Sequence, residues 1–159
     1  MFTTIAWATD GSVAASEALP FVEGLARATD ATLTIIYVQQ VTISRAGFLV
    51  EDNRSVLASL HRTVRRLRDY GVHATVLLSK ATTRDVPRTI LDLAGTAAAD
   101  VLIVGNRGHG SLINLVLGNV TDRLLQIASL PIIVVPLRPA VATPLADAQV
   151  TTVSTRSGA

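Results

Sequence analysis

Two hydrophobic rhythms alternate along this chain. Short apolar, β-branched runs are separated by segments in which apolar residues return every three or four positions. The first run, Thr3 to Ala8, predicts a strand. Thr9-Asp10-Gly11-Ser12 then reads as a turn, with Ser12 placed to cap a helix. Ala15, Ala18, Leu19, Val22, Leu25 and Ala26 follow at helical spacing. Pro20 lies inside that segment and removes a hydrogen bond to Ser16, which predicts one kinked helix rather than two. Thr32 to Val38 is a second strand, rich in β-branched residues. Gln39 to Val50 has no clear period and contains Gly47, so a loop is expected.

From Glu51 to Tyr70, Val56, Leu57, Leu60, Val64 and Leu67 share one helical face, and Gly71 supplies a stop. His73 to Leu78 predicts a third strand. Asp85 to Ala98 predicts a helix with Asp85 as cap and Pro87 in its first turn. Asp100 to Val104 is a fourth strand, Asn119 to Ala128 a helix, and Pro131 to Val135 a fifth strand.

Strict alternation of strand and helix implies an α/β fold: a single doubly wound, five-stranded parallel sheet with helices on both faces. Ligands of such sheets bind beyond the carboxyl ends of the strands. Two loops leave those ends with suitable chemistry, Thr9 to Gly11 and Gly105 to Gly110. From Pro136 onward the residues become small, polar and proline-containing. Residues 1–137 therefore read as the domain and 138–159 as a disordered tail, the alternative being a strap on a partner subunit.

Composition narrows the picture. Hydrophobic residues make up 49% of the chain and aromatics 4%, so the core must be aliphatic, as suits buried parallel strands. The absence of cysteine excludes disulfides and thiolate metal sites. No apolar run approaches the ~18 residues of a membrane span, and no signal-peptide pattern opens the chain, so a soluble cytoplasmic protein without membrane contact is expected. A net charge of +2 does not by itself indicate a nucleic-acid binder. Arg62, Arg65, Arg66 and Arg68 lack interleaved aromatics and read as a solvated helix face, so no nucleic-acid partner is expected.

The richest chemistry lies in VGNRGHGSLINLVLGNVTDR, residues 104–123. Glycines let a backbone approach a ligand, and a helix start offers unpaired N–H groups to a phosphate. Familiar signatures fail here. A P-loop lacks its lysine, since the only lysine is Lys80. The dinucleotide fingerprint breaks after Gly108-His109-Gly110, and no nucleophile elbow occurs. The pattern present is G-x2-G-x9-G followed by Asn, formed by Gly105, Gly108, Gly118 and Asn119.

With WATDGS, IIYV, VLIVGNRGHG, LGNVTDRLL and SLPIIVV in order, the chain resembles the ATP-binding branch of the universal stress protein family over roughly residues 1–137. The resemblance implies strand order 3-2-1-4-5, as in adenine nucleotide α-hydrolase-like sheets. It implies ATP, with or without Mg²⁺, over the ends of the first and fourth strands. Asp10 matches an acidic residue near the nucleotide that helps hold the metal, and Ala8 and Thr9 the residues before it. Val38 matches the end of the second strand, where backbone reads adenine. Val104, Gly105, Arg107 and Gly108 match the loop beside ribose and phosphates, and Gly118, Asn119, Val120 and Thr121 the helix start that takes the phosphates. Position 119 is Asn where Ser or Thr is more usual, and position 8 is Ala where proline is common.

Plainer readings stand beside these. Asp10 can serve only to close a turn, and the glycines only to permit tight packing. His109 reads as a solvated loop residue, and His61 and His73 as surface or strand-edge residues without metal-ligand spacing. No residue set for efficient hydrolysis is evident, so the expected role is a nucleotide-dependent stress regulator. The alternatives are a slow ATPase, a cyclic AMP binder, or an interaction module with a vestigial pocket. The fifth strand would lie at a sheet edge, and a bare apolar edge invites pairing. The resemblance likewise implies a homodimer through Pro131 to Val135.

Overall fold

The computed structural model describes residues 1–44, 47–50, 52–106 and 117–136. Arg107, Gly108, His109 and the segment 138–159 lie outside the described residues. In chain order the elements are β1 (Thr4–Ala8), α1 (Val13–Ser16), α2 (Leu19–Thr29), β2 (Thr32–Ser44), β3 (Gly47–Val50), α3 (Arg54–Asp69), β4 (Ala74–Thr82), α4 (Val86–Thr96), β5 (Val101–Gly105), α5 (Asn119–Ile127) and β6 (Ile132–Val135).

Five strands are parallel and adjacent in the order β4-β2-β1-β5-β6. Numbered as parallel strands alone, this is the 3-2-1-4-5 order. The alternation of side chains along each strand separates two cores. Ile5, Trp7, Leu33, Ile35, Val101 and Ile103 pack with Leu19 and Val22 of α2 and Leu60, Val64 and Leu67 of α3. Their strand neighbours Ala6, Ala8, Ile36, Val38, Leu102 and Val104 pack with Val86, Ile90 and Ala94 of α4 and Leu124 of α5. The sheet is thus covered on both faces.

Two expectations are corrected. Pro20 does not kink a continuous helix. The chain makes two helices, α1 and α2, because Ala18 N–H closes back on the Ala15 carbonyl at 3.2 Å and Pro20 then sits in the first turn of α2, where no N–H is needed. Ser12 does cap α1, its hydroxyl accepting from Ala15 N–H at 3.0 Å. Gln39 to Val50 is not a loop. β2 runs on to Ser44 and returns as β3, pairing Val41 with Val50, Thr42 with Leu49, Ile43 with Phe48 and Ser44 with Gly47.

Three helices end in the same way. After α3, Gly71 adopts φ +81°, and Val72 N–H reaches the Leu67 carbonyl at 2.9 Å. Asp30 after α2 and Ala98 after α4 take the same left-handed turn without being glycine. Asp85 stands at the N-cap of α4, but its carboxylate makes no cap bond and instead accepts from the Thr82 hydroxyl. His61 and His73 are exposed, as are Arg62, Arg65, Arg66 and Arg68. Arg66 meets Glu23 at 3.4 Å, and Arg68 Nε donates to the Ala74 carbonyl at 2.8 Å. No helix among the described residues is long and apolar enough to cross a membrane.

Candidate functional site

The site lies at the carboxyl ends of β1, β2 and β5. Ala8 pairs with Ile36 on one side and Val104 on the other, which fixes these strand ends side by side. Thr9 N–H donates to the Ile36 carbonyl at 3.0 Å, extending that register one residue beyond β1. The chain then turns sharply. Gly11 N–H donates to the Thr9 hydroxyl at 3.1 Å, and Ser12 N–H to Asp10 Oδ1 at 2.9 Å. These local bonds compete with continued extended structure and aim the chain into α1.

Gly11 is required at this turn twice over. Its φ of +74° is a left-handed value, and a Cβ there would stand 2.3 Å from Cγ1 of Val56 in the first turn of α3. The β1–α1 turn is therefore packed directly against the start of α3. Sequence periodicity placed Val56 on a helix face but gave no signal that this face meets Gly11.

The second half of the site joins β5 to α5. Asn106 N–H donates to the Val135 carbonyl, and Gly118 N–H to the Asn106 carbonyl, each at 2.9 Å. The hydroxyl of Thr121, a residue 6% exposed, donates to the Gly105 carbonyl at 2.9 Å. The start of α5 is thereby pinned to the end of β5 whatever path residues 107–116 take. Thr121 uses its hydroxyl proton to hold the helix in place, so what it offers outward is its backbone N–H. The N-cap of α5 is Gly118 (φ −64°, ψ 146°), with Asn119 the first helical residue, and no side chain among the described residues caps the helix. Such a terminus leaves its first N–H groups without intrahelical acceptors and presents a positive dipole end.

Val38 is not the end of its strand, since β2 continues to Ser44. It is nevertheless beyond the last β1 partner. The Ile36 carbonyl points toward β1, and the two-residue period of a strand turns the backbone groups of Val38 to the same edge. Ala8, Val38, Val104 and the partly buried Val120 all belong to the core on the α4/α5 face. The structure thus brings together Ala8, Thr9, Asp10, Val38, Val104, Gly105 and Gly118 to Thr121, while Arg107 and Gly108 lie outside the described residues.

Among the described residues no group of three or more His, Asp or Glu side chains is placed to hold a metal ion. Asp10 offers one carboxylate, which fits a magnesium ion that takes its remaining oxygens from phosphates and water.

Comparison with known proteins agrees with this fold. The model of the universal stress protein family matches residues 1–136. The chain belongs to the universal stress protein family. Its fold is similar to that of the hypothetical protein MJ0577, with a TM-score of 0.70 at 19% identity over 88% of this chain and 99% of that one. A universal stress protein solved in complex with cAMP gives 0.64 at 20% identity, covering 86% and 98% of the two chains. One from Archaeoglobus fulgidus in complex with dAMP gives 0.60 at 21% identity, covering 83% and 96%. No curated protein matches the chain.

Proposed function

We propose that this protein binds an adenine nucleotide, ATP with Mg²⁺, and acts as a nucleotide-dependent regulator in a stress response. One observation carries the reading: the uncapped start of α5 is bonded to the end of β5, beside the β1–α1 turn and the Val38 edge of β2. Base, ribose and phosphates would lie in that order from Val38, past Val104 and Gly105, to Gly118, Asn119, Val120 and Thr121. Ala8 and Thr9 would form the floor and Asp10 would supply a carboxylate to the metal, with ribose and phosphate contacts assigned to Arg107 and Gly108 from the sequence motif alone. The magnesium would offset phosphate charge.

The nucleotide-binding unit is residues 1–137, with 138–159 a separate tail. The protein is a cytoplasmic homodimer paired through Pro131 to Val135. The position of β6 supports this, because it is the outer strand of the sheet and pairs only with β5 among the described residues. Hydrolysis is at most slow, since the proposed site provides no evident general base for water.

Cyclic AMP is the second reading, favoured by the similarly folded universal stress protein in complex with cAMP. Mass spectrometry of the ligand released from purified protein, followed by calorimetry with ATP, ADP and cyclic AMP, separates the two. The decisive variant is Gly118→Asp. A carboxylate at the N-cap occupies the phosphate position and repels the ligand at a cost of several kcal/mol, or ~100-fold or more in Kd. Aspartate is itself a good N-cap, so the fold and melting temperature should hold. Unchanged nucleotide affinity in that variant would refute this placement of the phosphates.

A further inference from the structure

We infer that the β2–β3 hairpin is the outer wall of the base pocket, and that it makes the site discriminate against adenine nucleotides enlarged at N6. This inference rests on the nucleotide reading above and adds to it the element that limits the size of the base.

The argument begins with register. Val41 pairs with Thr82 of β4 and also with Val50 of β3. A strand residue has one neighbour on each side, so β3 and β4 flank β2 on opposite edges. β1 also lies opposite β4, because Leu33 to Ile36 pair with both. β1 and β3 therefore share one edge of β2, with a gap between them. The last β1 pair is at Ile36 and the first β3 pair at Val41. Five rises of about 3.3 Å separate the two, or ~16 Å between Cα positions.

Within that gap the strand period directs the backbone N–H and C=O groups of Val38 and Gln40 to the open edge. Each residue presents a donor beside an acceptor, the pair an adenine Watson–Crick edge requires. The gap is bounded below by the β1–α1 turn and above by the end of β3. On the α3 side it is bounded by the first turn of α3, whose Val56 touches the Gly11 position. Asp52, just before α3, accepts from Arg54 N–H at 3.1 Å and holds the Arg54 guanidinium through Nε and Nη2, a local bond that shapes the entry to the helix. A base seated on Val38 thus has strand termini at both ends, about 7 Å along β2 toward Ile36 and about 10 Å toward Val41, and a bulky N6 group directed along β2 meets one of them.

The test uses the full chain and calorimetry. Whichever of ATP or cyclic AMP binds more tightly is compared with its N6-benzyl derivative. Wild type should prefer the parent nucleotide by at least ~10-fold, as a steric clash against a backbone wall demands. Replacing residues 41–50 by Gly-Ser-Gly removes the wall and should bring the ratio below ~3-fold. Leu49→Pro, which deletes a backbone N–H opposite Thr42, is a milder second variant and should lower the ratio in the same direction. Failure of wild type to bind any adenine nucleotide overturns the nucleotide reading and this inference with it. Equal binding of the two ligands by wild type, or a preference that survives removal of the hairpin, overturns this inference alone.

Discussion

The two ends of the parallel sheet are built on different principles. At the amino ends of the strands, helices α2, α3 and α4 each finish in a left-handed turn whose N–H groups return to the last carbonyls. Asp100 there gathers Thr3 N–H, Thr3 hydroxyl and Thr4 N–H at 2.6, 2.8 and 2.9 Å. Those turns tolerate Asp30 and Ala98 where glycine would be easier. At the carboxyl ends the β1–α1 turn tolerates no side chain at Gly11, and α5 starts on a glycine with no cap. One end closes its polar groups through helix-ending turns and the Asp100 carboxylate. The other closes its β1–α1 turn with short side-chain bonds and close packing, and leaves the first N–H groups of α5 without a side-chain cap among the described residues.

The comparison breaks most sharply at Gly11. Gly11→Ala forces a left-handed φ on a residue with a Cβ, at about 1–3 kcal/mol. It also drives that Cβ into Val56, and overpacking adds roughly 1–3 kcal/mol unless α3 moves. Urea unfolding should show a loss of several kcal/mol, with ligand affinity falling as well because α3 borders the proposed base pocket. A loss below about 1 kcal/mol would mean that Val56 simply rotates away and the turn is not rigidly packed.

Much of this architecture is legible in the sequence because periodicity reports burial. The alternation of Ile5 and Trp7 with Ala6 and Ala8 follows from a strand covered on both faces, and the Val56 to Leu67 spacing from a helix lying on one of them. The start of α5 at Asn119 is equally readable, because Gly118 ends the preceding segment and stands at the N-cap. Other features leave no such trace. Residues 39–50 hold no Asn-Gly of the kind that marks a tight hairpin, and four described residue pairs join β2 to β3. Pro20 is compatible with a kink or a restart, and the choice depends on whether Ala18 folds back onto Ala15. The Thr121–Gly105 bond and the Gly11–Val56 contact join residues far apart in sequence, and no local pattern encodes them.

The opposite substitution at the opposite end sharpens the contrast. Ala98 follows α4 at φ +50°, with Ala98 N–H on the Gly95 carbonyl and Ala99 N–H on the Ala94 carbonyl. A left-handed alanine costs about 1–2 kcal/mol, whereas glycine there costs none. Glycine also loosens the unfolded chain, at roughly 0.4–1 kcal/mol against folding. Ala98→Gly should therefore stabilise by about 0.5–1 kcal/mol, which Gly71 already achieves after α3. Nucleotide affinity should not change. A destabilised variant, or one with altered affinity, would show that the amino end is not the tolerant end.

The smallest effect belongs to Asp100. Thr4 N–H, then Thr3 N–H, then the Thr3 hydroxyl hold its carboxyl below the usual carboxylate range. A group whose folded pKa is depressed stabilises the fold above its unfolded pKa, about 3.9, and loses that contribution as pH falls through the folded value. Asp100→Asn removes the charge from these three bonds while keeping an acceptor oxygen. The cluster is exposed, so water screens most of its effect. Thermal melts should place the variant slightly below wild type at pH 7, and the gap should close as pH drops below about 4. A gap that persists unchanged at pH 3 would mean that shape rather than charge at position 100 holds the first strand, and the amino end would then depend on packing as the carboxyl end does.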